Sequence, residues 1–138
     1  IRSHRKFDNN IYDAENIRSA PLITSESFDN GKTWSEPILR KFYSPSPYHL
    51  LKLKSGNVLV TYGYRYRPFG LRAFLLNGEC TNFDETPDII LRDDGLGTDI
   101  GYSSSILLKN GSVLITYYYY DEENGLRYIA GTICEEIE

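Results

Sequence analysis

Ser27-Phe28-Asp29-Asn30-Gly31-Lys32-Thr33-Trp34 carries the pattern S-x-D-x-G-x-T-W with every fixed position filled. Each of these residue types has a mechanical task in a tight connection between two strands. The side-chain oxygens of Ser27 and Asp29 can fold back onto amides of the turn, and Gly31 supplies a positive φ without steric cost. Thr33 and Trp34 are expected to open the following strand. A turn of this kind marks a fold and carries no chemistry by itself, so Asp29 is read as a turn residue and not as a catalytic acid.

Outward from the turn, the sequence repeats itself. Leu53-Lys-Ser-Gly-Asn-Val-Leu-Val-Thr-Tyr62 returns as Leu108-Lys-Asn-Gly-Ser-Val-Leu-Ile-Thr-Tyr117, and Gly70-Leu71-Arg72 returns as Gly125-Leu126-Arg127, both displaced by 55 positions. The same displacement carries the turn onto residues 82–89, where Phe83 and Asp84 repeat Phe28 and Asp29 while the glycine and tryptophan are lost. This is a degenerate copy. Units of about this length, each with several short strands, are the mark of propellers and other repeat arrays. Within one unit, β-branched and aromatic runs bounded by turn residues predict strands at residues 48–54, 58–64, 70–76 and 88–91. An earlier unit is read at residues 1–6, 18–27 and 33–39, and a later one, with three strands, at 101–108, 113–119 and 125–134.

Composition narrows the function classes. At 138 residues with a net charge of −4 and scattered Lys and Arg, the chain lacks the basic patch that nucleic acid demands. No apolar run is long enough to span a membrane as a helix. Cys80 and Cys134 have no metal-ligand spacing, and two cysteines do not make a disulfide framework. The acidic turns Asp93-Asp94-Gly95 and Asp121-Glu122-Glu123 lack the alternating ligands of a Ca²⁺ loop, so no metal and no cofactor is expected. A chain without Met that begins at Ile1 is expected to be a piece of a longer polypeptide. The compartment stays open.

The turn resembles the Asp-box of the sialidase superfamily, with Ser27, Asp29, Gly31, Thr33 and Trp34 as its fixed residues. The runs Tyr48-His49-Leu-Leu-Lys-Leu, Tyr62-Gly-Tyr-Arg65-Tyr-Arg67-Pro-Phe-Gly-Leu-Arg72-Ala73, Ile90-Leu-Arg-Asp-Asp-Gly and Asp99-Ile-Gly-Tyr102-Ser-Ser-Ser are similar to the C-terminal half of bacterial exo-sialidase-like proteins with BNR repeats. The resemblance spans essentially the whole chain. It implies an all-β fold, part of a six-bladed β-propeller with about two and a half to three blades of four-stranded antiparallel sheet. The divisions expected are a partial blade at 1–40, a complete blade at 41–92 and a last blade at 93–138 without its fourth strand. Such a piece is expected to associate with itself or to sit against a missing N-terminal half.

In that family a tyrosine in a Tyr-Ser context at the start of the last blade is the nucleophile, and Tyr102-Ser103 matches it. Arginines of the preceding blades bind the substrate carboxylate, which makes Arg65, Arg67 or Arg72 the matching candidates, with Arg2 from the first partial blade. His49 is a candidate polar contact to a sugar, and Asp99 lies close to Tyr102. The general acid, the first arginine and the tyrosine-activating glutamate of the family would all precede Ile1, so the chain alone is expected to be inactive. The expected partner is a glycan bearing a terminal acidic sugar. Two other readings stay open: a non-catalytic carbohydrate-binding propeller, and another propeller chemistry such as a different exo-glycosidase or a polysaccharide lyase.

Overall fold

The computed structural model describes residues 2–3, 20–123 and 125–135. All regular structure among them is β. The strands are β1 (Arg2–Ser3), β2 (Pro21–Thr24), β3 (Ile38–Tyr43), β4 (Tyr48–Lys52), β5 (Val58–Tyr64), β6 (Phe69–Leu76), β7 (Ile89–Gly95), β8 (Gly101–Leu107), β9 (Val113–Tyr119) and β10 (Tyr128–Cys134). They form three antiparallel sheets, each a meander of sequence neighbours: β1-β2-β3, β4-β5-β6-β7 and β8-β9-β10. The sheet ends fall at Tyr43 and Gly95, a few residues beyond the expected divisions.

Period-two alternation explains how the sheets stack. On β5, Val60, Tyr62 and Tyr64 join Phe74 and Leu76 of β6 in a core shared with Leu22 and Phe42 of the first sheet. The opposite face, with Leu59, Leu71 and Ala73, meets Ile100, Val113, Ile115, Tyr117 and Tyr119 of the third. The middle sheet is therefore covered on both sides. Its two central strands must be apolar at nearly every position, as β5 and β6 are, and each fully buried large side chain contributes about 1.5–3 kcal/mol. Phe42 and Phe74 stack across the first interface with centroids 3.8 Å apart.

The Asp-box forms the closed turn its residues specify. Ser27 Oγ donates to Asp29 Oδ1 (2.9 Å) and accepts from the Gly31 amide (2.7 Å), while Asp29 accepts from the Thr33 amide (2.8 Å) and hydroxyl (2.6 Å). Asn30 and Gly31 carry the positive φ, 60° and 85°. The expected strand at 33–39 is corrected: β3 begins only at Ile38. Trp34 Nε1 is tied back to the Gly31 carbonyl, Ser35 serves Glu26, and Pro37 has no amide to give a ladder.

Thr33, through its hydroxyl and then its amide, lowers the Asp29 carboxyl to about 2. A folded value below the unfolded one means stabilisation at neutral pH that is lost as pH falls from 3.8 toward about 2. Asp29→Asn is expected to lower the melting temperature at neutral pH and to flatten its decline across that acid interval. Superimposable melting-temperature profiles for the two proteins would contradict this role.

The repeat is structural in one half and lost in the other. Leu53 and Leu108 close the same turn, with amides bonded to Asn57 O and Ser112 O at 2.8 Å in both cases, and Gly56 and Gly111 sit at φ 91° and 93°. Further on, the register changes. Tyr62 faces Arg72 across the ladder, whereas its repeat mate Tyr117 faces Ala130 and not Arg127. The connection from β9 to β10 is longer than that from β5 to β6, so residues 125–127 lie before β10, correcting the expected strand at 125–134. Leu71 is fully buried while Leu126 is 90 % exposed. The degenerate Asp-box also diverges: Phe83 enters the core, and Asn77, Thr81 and Asn82 carry the turn's hydrogen bonds. Of the strand expected at 1–6, only β1 lies within the described residues, and the Arg2 side chain lies outside them.

Candidate functional site

Contacts between sheets fix which loops share a rim. Ser44 after β3 bonds the carbonyl of Gly63 near the end of β5 (2.5 Å), Arg65 bonds the carbonyl of Ile100 just before β8 (3.0 Å), and the Leu96 amide after β7 bonds the carbonyl of Tyr120 after β9 (3.0 Å). Residues 44–47, 65–68, 96–100, 120–123 and 125–127 therefore gather at one end of the stack. The Asp-box, lying between β2 and β3, is at the other.

At this rim the second and third sheets touch backbone to backbone. A Cβ on Gly63 would lie 2.8 Å from Gly101 Cα, and one on Gly101 would lie 2.7 Å from Gly63 Cα. The register between β8 and β9 slips between Gly101 and Ser104, a bulge in which Gly101 has φ 109° and Tyr102 has φ 49°. Bulges re-aim side chains, and a left-handed tyrosine costs about 1–3 kcal/mol that the surrounding structure must over-determine. Ser103 and Ser105 turn toward the second sheet, Ser103 accepting from the Thr61 hydroxyl (3.0 Å) and Ser105 lying buried. Tyr102 turns outward and is 61 % exposed.

Arg65 reaches this bulge from the neighbouring sheet. Its side chain is buried, its Nε donates to Ile100 O, its Nη2 donates to Tyr118 Oη (3.3 Å), and its guanidinium lies 5.2 Å from the centre of the Tyr102 ring. Tyr118 in turn donates to Asp99 Oδ1 (2.8 Å), and Asp99 Oδ2 is ion-paired with Arg127 Nε. The Tyr102 and Tyr118 rings are 5.7 Å apart. The result is a continuous chain, Arg65–Tyr118–Asp99–Arg127, with Tyr102 beside it. Burial and the bond to Asp99 push the Tyr118 phenol up to about 12, and the Tyr118 hydroxyl and then Arg127 hold the Asp99 carboxyl below its usual range. Within this chain of bonds two guanidinium groups, Arg65 and Arg127, flank the Tyr118 hydroxyl and the Asp99 carboxylate.

Of the residues singled out in the sequence, Arg65, Asp99 and Tyr102 are brought together, and three others are placed elsewhere. Arg67 lies over the Phe69 ring (5.3 Å). Arg72 is buried between the first and second sheets with its guanidinium 4.5 Å from the Tyr64 ring, and its Nε has no hydrogen-bond acceptor among the described residues. Even-numbered β6 positions face the first sheet, which is why Arg72 cannot reach Tyr102. His49 faces the third sheet and its Nε2 sits 3.2 Å from the Ser105 carbonyl, a link between sheets. Tyr118 and Arg127 complete the chain of bonds although sequence reasoning did not select them. Arg127 was assigned to Arg72 as its repeat mate, and the longer β9–β10 connection breaks that equivalence.

A second inter-sheet cluster lies nearby. Arg92 on β7 grips Asp94 through Nε (2.9 Å) and Nη2 (2.6 Å), and also binds Asp121 (2.6 Å) and the Tyr128 hydroxyl (3.2 Å) of the third sheet. Its guanidinium lies 3.9 Å from the centre of the Tyr119 ring. These bonds account for the acidic turns around Asp94 and Asp121 as a clasp between β7 and the β9–β10 connection. Among the described residues no group of three or more His, Cys, Asp or Glu is arranged to hold a metal.

No protein-family model matches the chain, and no curated protein matches it. Among solved structures, it is similar to a crystal structure of a protein of unknown function from Dyadobacter fermentans DSM 18053, with a TM-score of 0.74 and 42 % identity over 79 % of this chain. The match spans 29 % of that protein's length, so this chain is similar to a minor part of a much longer polypeptide.

Proposed function

We propose that the three sheets are consecutive blades of a six-bladed sialidase-type β-propeller, and that the Arg65–Tyr102 rim is the acidic-sugar site of an exo-sialidase-like glycoside hydrolase. One observation carries the reading: a buried guanidinium from one sheet is laid over a tyrosine held in a left-handed bulge at the start of the next, on the rim opposite the Asp-box. Arginine suits a sugar carboxylate because its planar fork donates parallel charge-assisted bonds. A sialic acid carries that carboxylate on its anomeric carbon. A carboxylate nucleophile would meet a like charge there, and a phenol does not.

In this reading Tyr102 Oη bonds to the anomeric carbon as the glycosidic C–O bond breaks, through an oxocarbenium-like transition state. The phenolic proton passes to a base, the leaving oxygen takes a proton from an acid, and water later releases the sugar with retention of configuration. In this reading the acid, the base and a further arginine come from other blades of the propeller. Ile106, Ile129 and Ile133, exposed on β8 and β10, fit a surface covered by a further blade or by a second copy.

A non-catalytic glycan-binding rim is the second reading, favoured by the placement of Asp99 on Tyr118 and not on Tyr102. Tyr102→Phe in a polypeptide that carries the full set of blades separates the two. An enzyme using that phenol is expected to lose at least about a thousandfold in kcat, the scale on which removal of a nucleophile acts, with binding retained. Unchanged turnover rules out Tyr102 as nucleophile, and no turnover in either protein leaves binding as the function.

A further inference from the structure

We infer that Arg127 is a shared guanidinium: Asp99 is its partner in this structure, and the acidic group of a bound sugar takes Asp99's place. This rests on the acidic-sugar reading of the rim and adds to it a residue from the last sheet together with an internal competitor for the ligand.

Four observations support the exchange. The register of β9 with β10 leaves Arg127 in the connection on the rim, where its repeat position would have put it inside a strand. The Arg127–Asp99 pair is half exposed on both sides, at 50 % and 56 %. An exposed ion pair of this kind shifts an equilibrium by no more than about fivefold, so an incoming carboxylate can displace Asp99 easily. Arg127 also lies 4.9 Å from the centre of the Tyr120 ring, a contact that keeps the guanidinium in place when Asp99 lets go. Asp99 for its part retains the Tyr118 hydroxyl. The partners exchange without either side chain losing its second anchor.

The exchange has a pH signature. The charged groups facing Asp99 are Arg127 and Arg65, and the phenol bonded to it is Tyr118, with Tyr102 alongside. When a ligand carboxylate captures Arg127, Asp99 loses one cation and gains a like charge nearby. Its proton affinity rises, so binding takes up a proton and strengthens as pH falls toward the ordinary carboxylate range near about 4.

Calorimetric titration of the chain with N-acetylneuraminic acid and with neutral N-acetylmannosamine, at about pH 7 and about pH 5, tests this with Asp99→Asn and Arg127→Gln. The asparagine keeps an acceptor for Tyr118 and removes the competing charge. Asp99→Asn is expected to bind the acidic sugar roughly two- to fivefold more tightly at neutral pH and to lose the pH dependence. Arg127→Gln is expected to bind it several-fold more weakly, with no effect on the neutral sugar. If Asp99→Asn binds more weakly while the native chain still prefers the acidic sugar, the pair is a structural brace and the exchange is wrong. A native chain without preference for the acidic sugar removes the exchange together with the acidic-sugar reading. Asp99→Asn/Arg127→Gln guards against a folding artefact, because exchange predicts that Asp99→Asn tightens binding less in the Arg127→Gln background than in the native one; an equal gain in both backgrounds overturns the proposal.

Discussion

Gly101→Ala is expected to destabilise the chain by about 2–6 kcal/mol, the combination of overpacking at about 1–3 kcal/mol and a strained backbone at about 1–3 kcal/mol. Both causes act at one atom. The new Cβ would lie 2.7 Å from Gly63 Cα, and φ at this position is 109°, where an L side chain is strained whatever the space. Relief would require the second and third sheets to separate at the rim, which would also draw the Tyr102 bulge away from Arg65. Gly63→Ala tests the same contact without the positive φ, so it is expected to cost only the packing share. Equilibrium urea unfolding measures both, and equal midpoints for native protein and Gly101→Ala would show that the sheets do not meet as described.

Arg65→Met is expected to abolish selective binding of an acidic sugar, a loss of at least about tenfold in affinity, because a hydrogen bond to a charged group contributes about 1.5–3 kcal/mol. It should also lower stability by about 1–3 kcal/mol, since Ile100 O loses its donor at a buried position and Tyr118 Oη at a partly buried one. Methionine preserves most of the buried stem, which separates charge from packing. Arg65→Lys is not expected to rescue binding, because an ammonium cannot serve Ile100 and Tyr118 in the geometry of the planar fork. Retained acidic-sugar selectivity in Arg65→Met would move the anion site away from this residue.

Much of the fold is written in local residue chemistry. The eight residues from Ser27 to Trp34 specify their turn almost bond by bond, because a serine, an aspartate, a glycine and a threonine at those spacings satisfy one another without help from the rest of the chain. The two Leu-Lys-x-Gly turns are equally local. Strand boundaries that depend on loop length were less legible: a longer β9–β10 connection shifted residues 125–127 out of the sheet, and no repeat of identities can report a register. The same cause hid Arg127.

The site divides along the same line. Arg65, Asp99 and Tyr102 were visible because their loops follow from strand order, and strand order follows from the turns. Arg72 was misplaced because a residue inside a strand is assigned by parity to one face, and its parity points toward the first sheet. Tyr118 was hidden among four consecutive tyrosines, residues 117–120, where only the pleat decides that 117 and 119 enter the core while 118 faces the bulge. A period-two reading of that run, anchored on the buried Val113 and Ile115, separates the two sets.

The claim that joins fold to function is that an acidic sugar binds at the rim where the second and third sheets meet. An amide-resolved NMR titration of the chain with N-acetylneuraminic acid tests it most directly. Shifts should concentrate at Arg65, at Asp99 through Tyr102, at Tyr118 and at Arg127, and should be absent with the neutral sugar. Shifts centred on the turn from Ser27 to Trp34, or no change at the rim at saturating sugar, would contradict it.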